Sequence, residues 1–300
     1  MPILFLIGAV AASVMQTLFA TLYNRKNTAY HEITPLYNVI NFATLVAMWS
    51  VLYFTDSAFL ASPSFDVGTV FYSLGFSVGF AAACIGLVNA LNTGPVTLTS
   101  LILQFSCIGS TIYGFFFWGA EPTPLVIIGI LLVCVSLVLC LYKGKGEKSG
   151  AKINGKWLIY VSLCFAGNMI CMIVQREQQR RYEGAYGNQL MLVAMICALL
   201  LSIVLYLRSD RRDSRVLLRR AWFWPALAGV SNLLLNLFMM KLAVATTTGA
   251  ISTSLIDPTI AVVPLALMTM ISFFAFKEKL RWWQWVGIGV GIGASLLLSL

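Results

Sequence analysis

Two ionisable residues lie inside long apolar runs, where a charge is expensive to hold and marks a site by default. Asp257 sits two turns into the run that begins at Gly249, and Lys241 stands shortly before the end of the preceding run. The tight Thr246-Thr247-Thr248-Gly249 step joins the two runs, so as helices they are antiparallel. At a rise of about 1.5 Å per residue their side chains differ in depth by about 5 Å, which a lysine can span. Asp257 is thus a candidate to bind a cationic group of a solute or a coupling proton, with Lys241 modulating it. The plainer alternative is a structural ion pair, or Lys241 snorkelling to the interface. Pro258 adds to the signal, because its missing N–H leaves a carbonyl unpaired one turn back, near Ser254. Such groups are tolerated in a membrane where they line a cavity or find a partner.

Uncharged polar residues within apolar runs come next: Gln16, Asn38, Asn41, Asn89, Gln104, Asn168, Gln175, Asn232 and Asn236. Asn232 and Asn236 share one helix face at i, i+4. Each alone reads as an interhelical hydrogen bond worth about 0.6 kcal/mol; together they point to a polar cavity. Gln16, Gln104, Asn168, Asn232, Asn236 and Asp257 form the candidate substrate-binding set, and Asp257 with Lys241 the candidate coupling or ion-pair set. Glu121 and Glu278 end apolar runs and read as interfacial residues.

Catalytic and metal chemistry find little support. The single histidine, His31, falls between runs, and the seven cysteines (Cys84, Cys107, Cys134, Cys140, Cys164, Cys171, Cys197) are scattered through apolar segments without a CxxC pair. No disulfide framework, metal site or cofactor is expected. An intramembrane protease needs a nucleophile with its base, or paired aspartates, and Asp257 stands alone. The alternating glycines Gly287, Gly289, Gly291 and Gly293 follow no strand, so they are no dinucleotide fingerprint, and the absence of a Walker motif argues against ATP as a driver. Small residues at that spacing suit close helix packing, and a homodimer through this run is one open reading.

The elements that must position these residues are ten apolar stretches, each long enough to cross a bilayer as a helix: Pro2 to Tyr23, Pro35 to Phe54, Val67 to Leu91, Pro95 to Trp118, Pro122 to Tyr142, Lys156 to Val174, Asn188 to Leu207, Trp222 to Ala245, Gly249 to Phe276 and Trp282 to Leu300. They are continuous and do not alternate, which favours helices over a barrel. Trp118, Trp157, Trp222, Trp224, Trp282, Trp283 and Trp285 gather at their ends, as an interfacial belt would. Composition agrees: 59% of the residues are hydrophobic and 10% charged, against about 25% charged in a soluble domain. The net charge of +9 lies between the apolar runs and forms no nucleic-acid-binding face. Met1 to Asn24 lacks a basic leader and reads as a retained first helix.

The loops sort into two sides. One carries Arg25 and Lys26, the lysines of 143–156, the arginines of 208–220, and Lys277, Lys279 and Arg281; the other carries only Arg176, Arg180 and Arg181. The positive-inside rule makes the first side cytoplasmic and both termini external, in what reads as a bacterial plasma membrane. The arginine run 208–220 faces anionic lipid in that arrangement.

The Lys/Gly-rich segment 143–155 divides the chain into a first five-helix half, 1–142, and a second, 156–300. Gly94-Pro-Val-Thr-Leu-Thr-Ser-Leu-Ile lies against Gly249-Ala-Ile-Ser-Thr-Ser-Leu-Ile, and Phe115-Phe-Phe-Trp-Gly-Ala-Glu121 against Phe273-Phe-Ala-Phe-Lys-Glu278; Gln16 and Asn168 fall at nearly matching places. An odd number of helices per half makes the second copy enter the membrane inverted, an architecture that places a substrate site between the repeats at mid-membrane. The series Met240-Lys241, Asp257-Pro258, Phe273 to Glu278 and Trp285-Val-Gly287-Ile-Gly289 resembles the second EamA-type repeat of the drug/metabolite transporter superfamily, and Leu91 to Leu141 resembles the same pattern more weakly, with Gln104-Phe105 at the acidic-Pro step. The resemblance implies a ten-helix secondary transporter of a small organic metabolite, often an exporter. Family members are often drawn with cytoplasmic termini, which the charges here oppose. The expected fold is thus all-α, ten transmembrane helices as two inverted five-helix repeats. The expected function is non-enzymatic alternating-access transport of an amino-acid-like, nucleoside, sugar or organic-cation solute. Proton coupling is open, a flippase for a lipid-linked substrate is the alternative, and a channel is a remote one.

Overall fold

The computed structural model describes residues 2–27, 30, 33–56, 65–117, 123–141, 154–183, 185–247, 253–277 and 281–297, and among them there are helices and turns but no strand. The helices are α1 (Pro2–Lys26), α2 (Ile33–Thr55), α3 (Val67–Thr93), α4 (Val96–Gln104), α5 (Cys107–Phe117), α6 (Pro124–Leu141), α7 (Gly155–Arg181), α8 (Gly187–Arg208), α9 (Ser214–Ala221), α10 (Phe223–Thr247), α11 (Thr253–Phe274) and α12 (Trp282–Leu297). Six of them (α1, α2, α3, α7, α8 and α10) are long and apolar enough to cross a membrane, and α6 and α11 contain shorter apolar stretches. This is a helical integral membrane protein.

Local chemistry explains several boundaries. The Asp66 carboxylate accepts the Thr69 N–H to start α3, and the Asn154 amide oxygen accepts the Trp157 N–H at 2.6 Å to start α7. Within the helices, hydroxyls of Thr21, Thr44, Ser50, Ser73 and Thr269 donate to the carbonyl four residues back, which lets polar side chains sit in an apolar setting. The stretch expected as one helix from Pro95 to Trp118 is interrupted: Ser106, Ile108 and Gly109 donate to Leu103, Phe105 and Ser106, three residues back, so α4 and α5 meet at a tightened turn. A short arginine-rich helix, α9, precedes α10; Leu217 and Ala221 anchor it in the core while Val216 and Leu218 stay exposed.

Helix pairs pack in a regular scheme. The most extensive contacts are α3 with α7, α1 with α10, α6 with α12 and α2 with α8; α3 also meets α8, and α2 meets α10. α1 packs on α11, as α4 and α5 pack on α7, and α4 meets α11. At the α6–α12 pair, Ser136 Oγ donates to the Gly287 carbonyl at 2.6 Å and Gln284 Nε2 to the Cys140 carbonyl at 3.2 Å. Gly287 and Gly291 abut α6 and α4 side chains, whereas Gly289 and Gly293 have nothing within 4 Å of a Cβ position. The glycine run therefore serves packing inside the chain through alternate members.

The tryptophans divide. Trp222, Trp282 and Trp285 are exposed as a belt requires, but Trp157 is fully buried, with Nε1 donating to Thr99 Oγ1 at 3.0 Å, so it is a packing residue. Trp118 lies outside the described residues, as do Glu121, Glu278, His31 and the lysines of the 143–153 linker. Of the cysteines, Cys84, Cys140, Cys164 and Cys171 are buried, Cys197 is partly buried and Cys134 is exposed.

Asp66 also joins α3 to the turn after α7. Its partial burial pushes its carboxyl upward, but hydrogen bonds from Thr69, Tyr182 and Gly68 outweigh that and hold it below the ordinary 3.8. A depressed carboxylate contributes stability above its unfolded value, and that contribution is lost as pH falls through the folded value. The melting temperature of the purified protein is therefore expected to drop as pH falls below about 4, and Asp66→Asn should flatten this acid limb. An identical acid limb in the variant would show that Asp66 carries none of it.

Candidate functional site

A cavity of about 470 Å³ lies at the centre of the helix assembly. Its walls come from α1 (Ser13, Gln16, Thr17), α3 (Phe76, Phe80, Ala83, Cys84, Leu87), the α4–α5 region (Ser100, Leu103, Gln104, Ser106, Thr111), α7 (Cys164, Asn168, Cys171, Met172, Gln175, Arg176, Gln179), α10 (Asn232, Leu235, Asn236, Met239, Met240) and α11 (Ile260, Pro264, Leu265, Met268). The α7 positions recur at helical spacing and make one continuous stripe. Among the described residues, α2, α6, α8 and α12 contribute none to the lining.

Five of the six sequence-derived binding candidates, Gln16, Gln104, Asn168, Asn232 and Asn236, converge on this one cavity. The side chain of the sixth, Asp257, lies outside the described residues, although its position falls within α11. Lys241 is exposed on α10 and is not among the lining residues, so the described geometry says nothing of an Asp257–Lys241 pair. Asn38, Asn41 and Asn89 sit elsewhere: the first two are buried on α2, and the Asn89 amide oxygen accepts the Thr34 hydroxyl at 2.9 Å. None of the three lines the cavity.

The lining amides fall into two groups. Asn168 Nδ2 donates to Ser106 Oγ, which itself donates to the Leu103 carbonyl at 2.6 Å, so Asn168 braces the α4–α5 turn. Asn236 Nδ2 donates to the Asn232 backbone carbonyl at 2.9 Å and its amide oxygen at 3.0 Å. Among the described residues, Gln16, Gln104, Gln175 and Gln179 make no hydrogen bond, and the buried Ser100 hydroxyl has no partner. Unpaired amides offer both a donor and an acceptor to a solute, and an apolar floor of Phe76, Phe80 and methionines can take its body. The lining includes one helix interruption, the α4–α5 turn. It also includes Pro264, which has no N–H to offer the carbonyl of Ile260 although α11 runs unbroken through it.

One end of the cavity is closed by a packed layer. Trp157, Tyr23, Tyr37, Val88 and Leu91 are buried there, Asn24 Nδ2 donates to the Val88 carbonyl at 2.8 Å, and Tyr23 Oη donates to the Ile33 carbonyl at 3.1 Å. At the other end of the α7 stripe stand Gln179 and the exposed Arg176. Arg176, Gln179, Ser13, Thr17, Ser106 and Pro264 were not among the sequence candidates. Polar residues at i, i+7, i+8 and i+11 (Asn168, Gln175, Arg176 and Gln179), continuing past the last apolar residue of α7, were the available signal.

Fold and cavity together define a class: helical integral membrane proteins with an internal chamber lined by several carboxamides and by one helix interruption. No protein-family model matches the chain, and no curated protein matches it in sequence. In fold, 28 solved chains match. One of them, described only as a crystal structure of a protein, superposes with a TM-score of 0.57 over 96% of this chain and 95% of its own, at 11% identity. That likeness concerns the fold alone.

Proposed function

We propose that the chain is a secondary transporter of a small organic metabolite, built as ten membrane-crossing segments in two inverted five-helix repeats and working by alternating access at the central cavity. The observation that carries the reading is that the cavity draws unpaired carboxamides from both halves of the chain, Gln16 and Gln104 from the first and Gln175 and Gln179 from the second. If α1 to α6, with α4 and α5 as one segment, are matched to α7, α8, α10, α11 and α12, the contacts pair off. α1 on α10 mirrors α7 on α3, α2 on α10 mirrors α8 on α3, and α1 on α11 mirrors α7 on α4 and α5. The lining pairs in the same way, Gln16 with Asn168 and the α4–α5 turn with Pro264. Inverted-repeat carriers place discontinuous helices and their site on this pseudo-two-fold axis. The packed layer on one side and the exposed Arg176 end on the other fit a carrier closed to the basic-loop side. The resemblance to EamA-type drug/metabolite transporters agrees, and Asp257 remains the candidate for proton coupling.

The test is uptake into proteoliposomes of labelled amino acids, nucleosides, sugars and organic cations, with and without a pH gradient. Saturable uptake is expected, cut at least tenfold by Asn168→Leu, which fills the cavity and unbraces the α4–α5 turn. Asp257→Asn should abolish gradient dependence if the solute is proton-coupled. Uptake by the Asn168→Leu protein equal to wild type would remove the cavity from the mechanism. Headgroup-analogue binding without solute uptake would favour the flippase reading.

A further inference from the structure

Arg176 is the one charged residue among the described residues lining the cavity, and it stands where the cavity meets the exposed end of α7. It was expected to be an ordinary loop charge, grouped with Arg180 and Arg181. The structure separates them. Arg181 is engaged by a hydrogen bond with Tyr72, whereas among the described residues Arg176 has no ion pair, hydrogen bond or stacked ring. Gln175 and Gln179, the two unpaired amides nearest it in sequence, lie on the same face of α7 and line the same cavity. Below them the stripe continues through Met172 to Asn168, at the α4–α5 turn.

We infer that this end of the cavity is an oxyanion-recognition site, formed by the Arg176 guanidinium with the Gln175 and Gln179 amides, and that the solute carries a carboxylate or another singly charged oxyanion on an apolar body. The inference rests on the reading of this cavity as a solute site. A guanidinium presents planar paired donors that match a carboxylate, and amide N–H groups complete its remaining lone pairs. At a cavity mouth with low-dielectric walls a fixed positive charge also concentrates anions and repels cations. Met172 and the aromatic floor at Phe76 and Phe80 accept the apolar portion. This narrows the solute classes to those bearing an oxyanion, amino-acid-like molecules included, and disfavours organic cations and uncharged sugars.

The test uses three probes that share one body and differ in head group: phenylacetate, phenylacetamide and phenethylammonium. Binding to the purified wild-type protein is read by its melting-temperature shift in detergent, and transport by uptake into proteoliposomes. Phenylacetate is expected to bind at least tenfold more tightly than phenylacetamide, and phenethylammonium more weakly still. Arg176→Gln should erase the preference of phenylacetate over phenylacetamide while leaving phenylacetamide affinity within about twofold, and Arg176→Lys should restore part of it. Arg176→Gln lies at an exposed position, so its melting temperature without ligand should match wild type and report a folded variant. A preference for phenethylammonium, no binding of any probe, or an unchanged preference in Arg176→Gln would each overturn the inference. Binding of phenylacetate without uptake would leave the oxyanion site standing and remove the transport reading instead.

Discussion

Gly86→Ala should destabilise the protein by about 1–3 kcal/mol, although the same change in an ordinary helix interior stabilises by about 1 kcal/mol. Gly86 lies in the C-terminal third of α3, and a Cβ there would stand 2.5 Å from the Cys164 nitrogen and 2.7 Å from the Tyr160 carbonyl oxygen of α7. Both obstacles are backbone, which cannot rotate aside as a side chain end can. Gly79 and Gly167 make a second such approach, with a Cβ on Gly167 placed 2.4 Å from the Gly79 carbonyl oxygen. The helices are thus held closer than any side chain permits, and closeness supplies the dispersion contact that water cannot supply in a bilayer. Gly289→Ala in α12 is the control, since nothing lies within 4 Å of its Cβ position; it should be neutral or stabilising by up to about 1 kcal/mol. Melting of the two variants in detergent, followed by size-exclusion chromatography, should separate them in sign. Equal melting temperatures would mean that α3 and α7 do not approach through Gly86.

The contrast between these glycines shows what the sequence made legible. The alternating run 287–293 stood out because four glycines crowd one helix, yet only Gly287 and Gly291 meet a neighbour closely. The small-residue stripe Gly75, Gly79, Ala83 and Gly86 is spread over three turns and reads as unremarkable apolar sequence, although it forms the tightest helix pair. Hydrophobic length marked most helix ends to within a few residues, because bilayer thickness and backbone satisfaction impose that length on any sequence, but α7 runs seven residues past the expected end at Val174. It carried no information on the interruption at Phe105–Ser106, since the residues there are apolar or small and contain no proline. A tertiary contact, the Asn168 amide on Ser106 Oγ, accompanies the break.

The candidate site was legible for a similar reason and to a similar depth. An amide inside an apolar run has few ways to be satisfied, so Gln16, Gln104, Asn168, Asn232 and Asn236 could be singled out and are found around one chamber. Asn38, Asn41 and Asn89 have the same sequence signature and lie elsewhere, because the signature says that a partner is needed and not which one. Arg176 escaped notice because the apolar run of α7 ends just before it; the helix continues to Arg181 as the stripe crosses from membrane to surface. Pro264 escaped because Pro258, next to an aspartate, drew attention first.

Trp157→Ala should cost about 3–5 kcal/mol and open the closed end of the cavity. Trp157 is fully buried at the start of α7; it is about 28 Å along the helix from Arg176 at 1.5 Å per residue. Its ring lies so close to Gly94 that a Cβ there would stand 2.1 Å from it, and its Nε1 holds Thr99 at the start of α4. It therefore ties the ends of α3, α4 and α7 together at the layer that seals the chamber. Trp157→Phe keeps most of the apolar volume and loses one hydrogen bond, so it should cost only about 1 kcal/mol. Cys164, two turns further along α7, lines the cavity and is 1% exposed, which makes it a reporter of that seal. With the other cysteines replaced by serine, an impermeant maleimide added from the Trp157 end should label Cys164 readily in Trp157→Ala and slowly in wild type and Trp157→Phe. If Trp157→Ala melts with Trp157→Phe and leaves Cys164 unlabelled, the seal resides in the tyrosine layer of Tyr23 and Tyr37. If it melts lower and labels fast, one indole sets both the stability of the helix ends and the side to which the chamber is closed.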